Sequence, residues 1–300
     1  LIVSPSTRWS VCRNTGFIVC CEYRGQPLLS GPMGDCFVRA PTDNDICSSE
    51  VDNPSSHSWL ARWRDSGLFD LEHTCIDVTL SGETLVSCHE YLGERDREVT
   101  CLIQSRWTHS FKDDGSVDVS VIVKVDDSLL PVPRIGARLI LRTLPETVSW
   151  LGRGPHENYP DRKQSADLGY WCLPREAMHT PYIFPSENGL RCDVRCAQLG
   201  SFAIERLDTD LAFSVSEFGV DKLMKAQHTN ELDATDALHV HIDGFHMGVG
   251  GDDSWSPSVK PIYLLNAREY YWSFKLRAAA GYLENCFQGT AATASSQGQS

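Results

Sequence analysis

Alternation of apolar and polar residues is the strongest pattern along this chain. In the segment SVDVSVIVKV every second residue from Val117 to Val125 is a valine, which places one apolar face on a strand. Similar short segments lie at 17–23, 85–91, 99–107, 137–144, 148–152, 201–207, 211–218, 237–242, 262–265 and 270–278. Gly, Pro, Asn or Asp separates many of them, as expected for turns between strands. More than ten strands with few helices predict an all-β fold, an antiparallel sandwich.

Helical spacing occurs in two short segments. Residues 56–66 set Trp59 beside Trp63 on one helix face, with a serine at 56 or 58 as the N-cap. Residues 220–231 predict a second short helix with Leu223 and Ala226 on one side. Residues 151–192, which lie between these two segments, are rich in Pro, Tyr, Trp and charged residues, so we expect long ordered loops there. Long ordered loops in a compact domain commonly have a function.

Length and composition narrow the class of protein. A chain of 300 residues forms one large β domain or two smaller ones, and because no linker divides it we predict one domain over residues 1–280. Residues 281–300 end in QGTAATASSQGQS and are expected to be a disordered tail. The net charge of −13 argues against nucleic acid or an anionic membrane as partner. No apolar run is long enough to span a membrane.

The number and spacing of the cysteines indicate the cellular compartment of the protein. The 12 cysteines are scattered without a CxxC pair, and several stand in strand-like segments, where Cys acts as a small apolar residue. A disulfide framework is expected mainly in short secreted chains, so we predict reduced thiols and a cytoplasmic location. The chain begins at Leu1 without a signal segment, which indicates a fragment or a processed chain.

The segment HIDGFHMGVGGDDSWSPSV at residues 241–259 holds the most informative side chain. Its glycines end a strand, and two aspartates and a Ser-Trp-Ser-Pro turn then place Trp255 at the tip of a loop. A ring in that position can stack on a flat ligand such as a sugar. It can equally fold back onto its own domain, and spacing alone leaves both interpretations open.

The segment FVRAPTDNDI at residues 37–46 offers three polar side chains in a row, Asp43, Asn44 and Asp45. They can bind a cation, a sugar hydroxyl or backbone amides. The alternative is an Asx turn in which Arg39 pairs with one of the carboxylates.

Acid–base chemistry is one interpretation of residues 150–162, where His156 lies close to Glu157 and Asp161. An ion-paired loop that packs on another surface fits the same residues. The common nucleophile and nucleotide motifs, such as GxSxG and GxGxxG, do not occur.

Two further groups allow a catalytic or metal-binding interpretation. Glu187 offers a carboxylate for catalysis, or a salt bridge to Arg191. His239, His241 and Asp243 alternate along a predicted strand, which fits zinc ligands or a polar strand face.

Five segments, taken in order, closely resemble one known family. They lie at 37–46, 59–63, 154–162, 182–191 and 242–259, and the match runs from about Trp9 to about Leu276. Together they resemble the C-terminal domain of the large multidomain β-galactosidases (glycoside hydrolase family 2, lacZ type). The same unit occurs as the small chain of two-chain β-galactosidases.

The resemblance implies a galactose-mutarotase-like supersandwich of antiparallel strands and hydrolysis of terminal β-D-galactosides such as lactose, with retention. The family's catalytic glutamates lie in a TIM barrel that this chain lacks. We therefore expect no catalytic residue and no metal or other cofactor in this chain, with magnesium and sodium bound in the missing barrel part. The expected partners are a barrel-bearing domain or large subunit and further copies in an oligomer.

The resemblance also assigns roles to residues of this sequence. Trp255 corresponds to a tryptophan that lines the sugar site, and Asp43, Asn44 and Asp45 correspond to a loop that approaches the active-site mouth. The family usually has Gly where this chain has Cys47, and Gly adopts positive φ more easily. That difference puts the loop geometry in doubt.

Two other functions remain open on the sequence. In the first alternative, the chain is a stand-alone carbohydrate-binding module and Trp255 is its sugar-binding ring. In the other it is an aldose epimerase, for which His156, His179 and Glu187 are the candidate acid–base residues.

Overall fold

The computed structural model describes residues 2–48, 54–95, 98–253 and 255–283. In these ranges three short α-helices accompany 18 strands, and single 3-10 turns lie at Asp127–Leu129, Arg175–Met178, Thr229–Glu231 and Pro261–Tyr263. The helices are α1 (Asp43–Ile46), α2 (Trp59–Asp65) and α3 (Val220–Lys225). The strands are β1 (Ile2–Val3), β2 (Thr7–Val11), β3 (Ile18–Tyr23), β4 (Gln26–Pro27), β5 (Gly34–Cys36), β6 (Glu72–Ser81), β7 (Thr84–Arg95), β8 (Glu98–Phe111), β9 (Val117–Val125), β10 (Arg134–Leu141), β11 (Thr147–Gly154), β12 (Asp167–Pro174), β13 (Arg191–Val194), β14 (Cys196–Leu199), β15 (Phe202–Arg206), β16 (Leu211–Ser216), β17 (Leu238–His246) and β18 (Glu269–Ala278).

Three sheets contain these strands. The largest has nine strands in the order β12-β11-β14-β15-β18-β9-β8-β7-β6, and a five-stranded sheet has the order β13-β16-β17-β10-β5. Strands β1 to β4 form the third sheet. Neighbouring strands pair antiparallel throughout, as between β8 and β9, β9 and β18, or β10 and β17. The predicted all-β antiparallel fold is therefore confirmed.

One continuous apolar core joins the two larger sheets. The alternate valines of β9 from Val117 to Val125 are all buried, and they share this core with Trp272 of β18 and Val240 of β17. Gly244 of β17 lies so close to the indole that an added Cβ would come 2.4 Å from Cγ of Trp272. Close approach of the sheets at this point therefore requires glycine.

Most sequence-based elements are confirmed, including α2, where the Ser58 hydroxyl accepts a hydrogen bond from the Ala61 amide at 3.0 Å. The second predicted helix is α3, which is shorter than expected because it ends at Lys225.

Two predictions of local structure were wrong. The strand expected at 262–265 is absent, since Pro261 opens a 3-10 turn there and leaves Ile262 82% exposed. The loop expected over 151–192 contains the edge strand β12, which pairs with β11 along its whole length. Both faces of β12 are partly exposed, so it shows no apolar periodicity.

The predicted tail falls almost wholly outside the described residues, because only 281–283 of its 20 positions are described. Eleven cysteines are described and none of them is in a disulfide, whereas Cys286 lies outside the described part. Among the described helices, none has the length and apolar character needed to cross a membrane.

Candidate functional site

Polar side chains from two distant segments hold the glycine-rich stretch that follows β17. The guanidinium of Arg39 donates to the carbonyl oxygens of Met247 and Gly248, both at 3.0 Å. The side-chain amide of Asn44 donates to the carbonyl oxygen of Val249 at 2.7 Å. Three consecutive carbonyl groups are thus bound from one side.

The amide groups of the same stretch are bound by Asp161. Its two carboxylate oxygens accept from the Val249 amide at 3.1 Å and from the Gly250 amide at 2.7 Å. A Cβ at Gly248 would lie only 2.7 Å from the Asp161 carboxylate. A glycine at 248 is therefore needed for the carboxylate to reach the backbone.

Trp255 follows in a turn that Asp253 organises. The Asp253 carboxylate accepts from the backbone amides of Trp255 at 3.1 Å and Ser256 at 2.8 Å. It also accepts from the Ser256 hydroxyl, and this bond is the main reason why the pKa of Asp253 lies below its ordinary value. The Trp255 ring is 74% exposed, so the alternative in which it packs down onto its own domain is wrong.

The segment with Asp43, Asn44 and Asp45 is the short helix α1, which the sequence did not predict. Asp45 and Thr42 form a reciprocal capping box, in which each side chain accepts from the other residue's amide. Asp45 is also buried against Arg39, with bonds of 2.7 and 3.0 Å. Of the two interpretations, the one in which Arg39 pairs with a carboxylate is therefore correct for Asp45. Asp43 is exposed.

Cys47 ends α1 in the left-handed region, at φ 54° and ψ 28°. Its thiol lies 3.0 Å from the Asn44 carbonyl oxygen. The chain thus adopts at Cys47 the conformation that glycine favours, at a cost on the order of 1 kcal/mol. With cysteine at this position the helix end stays closed, since the Cys47 amide donates to the Asp43 carbonyl oxygen.

A cavity of about 440 Å³ lies between α1 and the motif at 182–191. Its wall combines the aromatic rings of Tyr159 and Tyr182 with Asp43, Asn44 and Arg162. Tyr159 is 2% exposed, and its hydroxyl has no hydrogen-bond partner in the described part of the chain. Aromatic faces beside scattered polar groups are common in small-molecule pockets.

A buried charge cluster lies beneath this cavity. Arg134 of β10 binds Asp243 at 3.0 Å and Glu187 at 2.9 Å, and all three side chains are at least 95% buried. Burial raises the pKa of Asp243 to about 7, against the opposing attraction of Arg134. Burial likewise raises the pKa of Glu187. The expected salt bridge from Glu187 to Arg191 is absent, because Arg134 occupies that carboxylate.

Arg191 instead binds backbone carbonyl groups, at 3.0 Å for Met178 and 2.7 Å for Gly189. The zinc interpretation of His239, His241 and Asp243 is not supported either. No group of three potential ligands that could hold a metal ion occurs in the described ranges. Asp243 serves as the partner of Arg134.

The three residues singled out at 150–162 do not form one acid–base group. His156 is exposed and lies 3.1 Å from the Ser165 hydroxyl. Glu157 accepts from the Gly189 amide at 2.8 Å and from the Tyr182 hydroxyl. Asp161 holds the glycine stretch, a role that the sequence did not indicate because its partners lie 88 and 89 residues away.

The residues considered for an epimerase also have separate partners. His179 packs edge-on against Phe218, with ring centroids 5.1 Å apart, and burial lowers its pKa. His156 contacts Ser165, and Glu187 is bound by Arg134. No acid–base pair is thus formed between them.

Comparisons with known proteins agree with the motifs. The family model of the β-galactosidase small chain matches residues 4–276. A β-galactosidase of Aeromonas hydrophila is 43% identical over 92% of this chain, and one of Vibrio cholerae is 41% identical over 93%. The chain spans 27% of the length of each of these relatives. Among solved structures, the aldose epimerase homologue from C. elegans has a TM-score of 0.44 at 10% identity, covering 92% of this chain and 97% of that one.

Proposed function

Because the chain belongs to the family of β-galactosidase small chains, we propose that it is the C-terminal domain or small subunit of an enzyme that hydrolyses terminal β-D-galactosides such as lactose. The relatives that carry the name β-galactosidase are about four times longer than the matched region. The remaining length has room for a barrel-bearing domain, which in another organism can be a separate subunit. We take residues 1–280 as one domain, since the main core cluster includes residues from Trp9 to Ala278.

In this proposal Trp255 is the substrate-binding residue. The observation that supports it is a large ring, 74% exposed, on a loop whose base is held by five side-chain hydrogen bonds. An exposed ring in a fixed position loses little conformational entropy when a sugar stacks on it. Asn44 supports the loop through Val249, and Asp43 faces the cavity at the active-site mouth.

Catalysis by a retaining pair of glutamates, together with magnesium and sodium, belongs in this proposal to the barrel-bearing part. Three carboxylates near the loop support this division. Asp45 is bound by Arg39, Asp161 by two backbone amides and Glu187 by Arg134. These contacts stabilise this chain's own backbone and buried cations, so none of the three is proposed as a member of the catalytic pair.

The chain alone and the complete enzyme should therefore differ sharply in activity. We expect no hydrolysis of a chromogenic β-galactoside by the purified chain, and hydrolysis once the barrel-bearing part is joined or added. Light scattering of the same mixture measures the assembly and its oligomeric state. Hydrolysis at normal rates by the chain alone would contradict the proposed placement of the catalytic residues.

The exposed ring of Trp255 also favours a second candidate, a stand-alone carbohydrate-binding module. Calorimetry of the chain with galactose and lactose separates the two functions. A module binds these sugars by itself, whereas we expect weak or no binding until the barrel-bearing part completes the site.

We also infer a cytoplasmic location, which is supported by the eleven described cysteines that are in no disulfide. Trapping thiols with an alkylating reagent at cell lysis, followed by mass spectrometry, tests this inference. Disulfide-linked peptides in the trapped protein would argue against it.

A further inference from the structure

Among the described carboxylates, Asp161 contacts the glycine stretch at residues 247–251, ahead of Trp255. The resemblance to the β-galactosidases gives Asp161 no role. We propose that Asp161 is a positioning residue, which fixes Trp255 by binding the amides of Val249 and Gly250. The proposal rests on the sugar-binding role of Trp255 given above. Asp161 itself does not contact the sugar in this arrangement; it acts through the loop.

The carboxylate is presented on a rigid turn. The Arg162 amide donates to the Tyr159 carbonyl oxygen at 2.8 Å, which closes a tight turn around Pro160 and Asp161. The ring of Tyr159 is buried, and the neighbouring Asn158 amide donates to the Leu190 carbonyl oxygen at 2.8 Å. These bonds hold the backbone of the turn that carries Asp161 independently of the glycine stretch.

Three of the four residues at 248–251 are glycines, which have more backbone freedom than other residues. Val249 is the exception, since its side chain is 5% exposed and packs in one cluster with Tyr159 and Leu190. The carbonyl groups are bound by Arg39 and Asn44, so the two amides held by Asp161 complete the hydrogen bonding on the other side. An amide without its acceptor costs free energy in a partly buried position, and the stretch would rotate to regain one.

The loop beyond Gly250 transmits this position to the ring. A Cβ at Gly251 would lie 2.1 Å from the Ser258 hydroxyl oxygen, so the two ends of the loop are in contact. The Asp253 amide donates to the same hydroxyl at 3.4 Å, and the carboxylate of Asp253 binds the Trp255 amide. Through these contacts we expect a shift at Gly250 to move Asp253 and the ring of Trp255.

The fluorescence of Trp255 reports this displacement independently of activity. Six of the eight tryptophans are at most 4% exposed, and Trp171 is half-buried, so a soluble quencher reaches chiefly Trp255. Subtracting the signal of Trp255→Phe isolates that ring. In Asp161→Asn, whose side chain has the same size but only one acceptor oxygen, we expect faster decay of the Trp255 anisotropy than in the unmodified chain.

The same variant in the complete enzyme should raise KM for the galactoside by about threefold to tenfold, with a smaller change in kcat, because charge-assisted bonds to the loop are lost. Asp193→Asn is the matched control, since Asp193 binds Arg153 and Lys163 and does not contact the loop. Gly250→Ala provides a second route, because its Cβ would come 3.1 Å from the Asp161 carboxylate, and the two would have to separate by a few tenths of an ångström.

The outcomes separate the two proposals. Faster anisotropy decay with a raised KM supports both, provided that Asp193→Asn changes neither. Faster decay with an unchanged KM supports the positioning role of Asp161 and overturns the sugar-binding role of Trp255. Unchanged decay in both Asp161→Asn and Gly250→Ala overturns the positioning role, whatever the kinetics show.

Discussion

The substitution Trp255→Ala separates a binding role from a packing role, because the structure gives the two roles different magnitudes. The ring is 74% exposed and hence only 26% buried. A ring of about 250 Å² then buries about 65 Å² against its own chain, which at about 25 cal/mol per Å² is worth about 1.5 kcal/mol. We expect the melting temperature to fall by about 3 to 6 °C, on the scale of about 2 to 4 °C per kcal/mol for domains of this size.

The expected loss of binding is larger. If a sugar covers about 90 Å² of the exposed ring, its burial contributes about 2 kcal/mol, which corresponds to about thirtyfold in affinity. Initial rates of the complete enzyme over a range of galactoside concentrations should show KM raised by about tenfold or more. Thermal unfolding of the same preparation gives the stability.

Two controls bracket this result. Ile262→Ala removes another exposed apolar side chain, at 82% exposure, and should leave KM and stability unchanged. Trp272→Ala removes a ring that is 1% exposed and should cost about 3 to 5 kcal/mol of stability. If Trp255→Ala lost as much stability as Trp272→Ala while KM stayed constant, the reasoning from exposure would be refuted.

Three further substitutions test the supports of the site and of the core. Cys47→Gly should raise the free energy of unfolding by about 0.5 to 1 kcal/mol in urea titrations, because Cys47 has φ 54°; a loss of stability would contradict this. Arg134→Met leaves Asp243 and Glu187 buried without their cation, and should cost about 3 to 5 kcal/mol; near-native stability would show that the cluster relaxes or takes up protons instead. Burial lowers the pKa of His109 to about 3, so below pH 6.5 only the unfolded chain takes up its proton, and stability is lost as the pH falls from 6.5 towards 3. His109→Phe should remove about 2 kcal/mol of the stability difference between pH 7 and pH 5, and an unchanged difference in urea titrations would refute the assignment.

The elements that could be predicted from sequence are those whose environment has a simple period. The valines of β9 face one core, so their alternation is visible in the sequence and the strand ends where the alternation ends. Strand β12 lies at a sheet edge with both faces partly exposed, and its sequence DLGYWCLP therefore has no such period. The exposure of Trp255 could not be predicted from spacing, because the glycines and the proline-containing turn fit a ring that stacks on a ligand as well as one that packs on its own domain.

The side-chain partners could not be predicted, because they are set by long-range pairing of the sheets. Glu187 and Arg191 are near in sequence, yet Glu187 binds Arg134, which is 53 residues away. Arg134 reaches it because β10 pairs with β17 and so lies beside Asp243. Sequence proximity favoured the wrong arginine, and only the sheet register identifies the right one.

Three carboxylates near the loop fit the division of the site that we propose. Asp45, Asp161 and Glu187 are bound to cations or amides in this chain, so their bonded oxygens face this chain's own groups. A general acid or base must present an oxygen to the substrate and exchange a proton with it. Carboxylates that hold backbone amides and buried cations do not do so while these bonds last. In the proposed enzyme these three residues would support the wall that carries Trp255, and the acid–base pair would come from the barrel-bearing part.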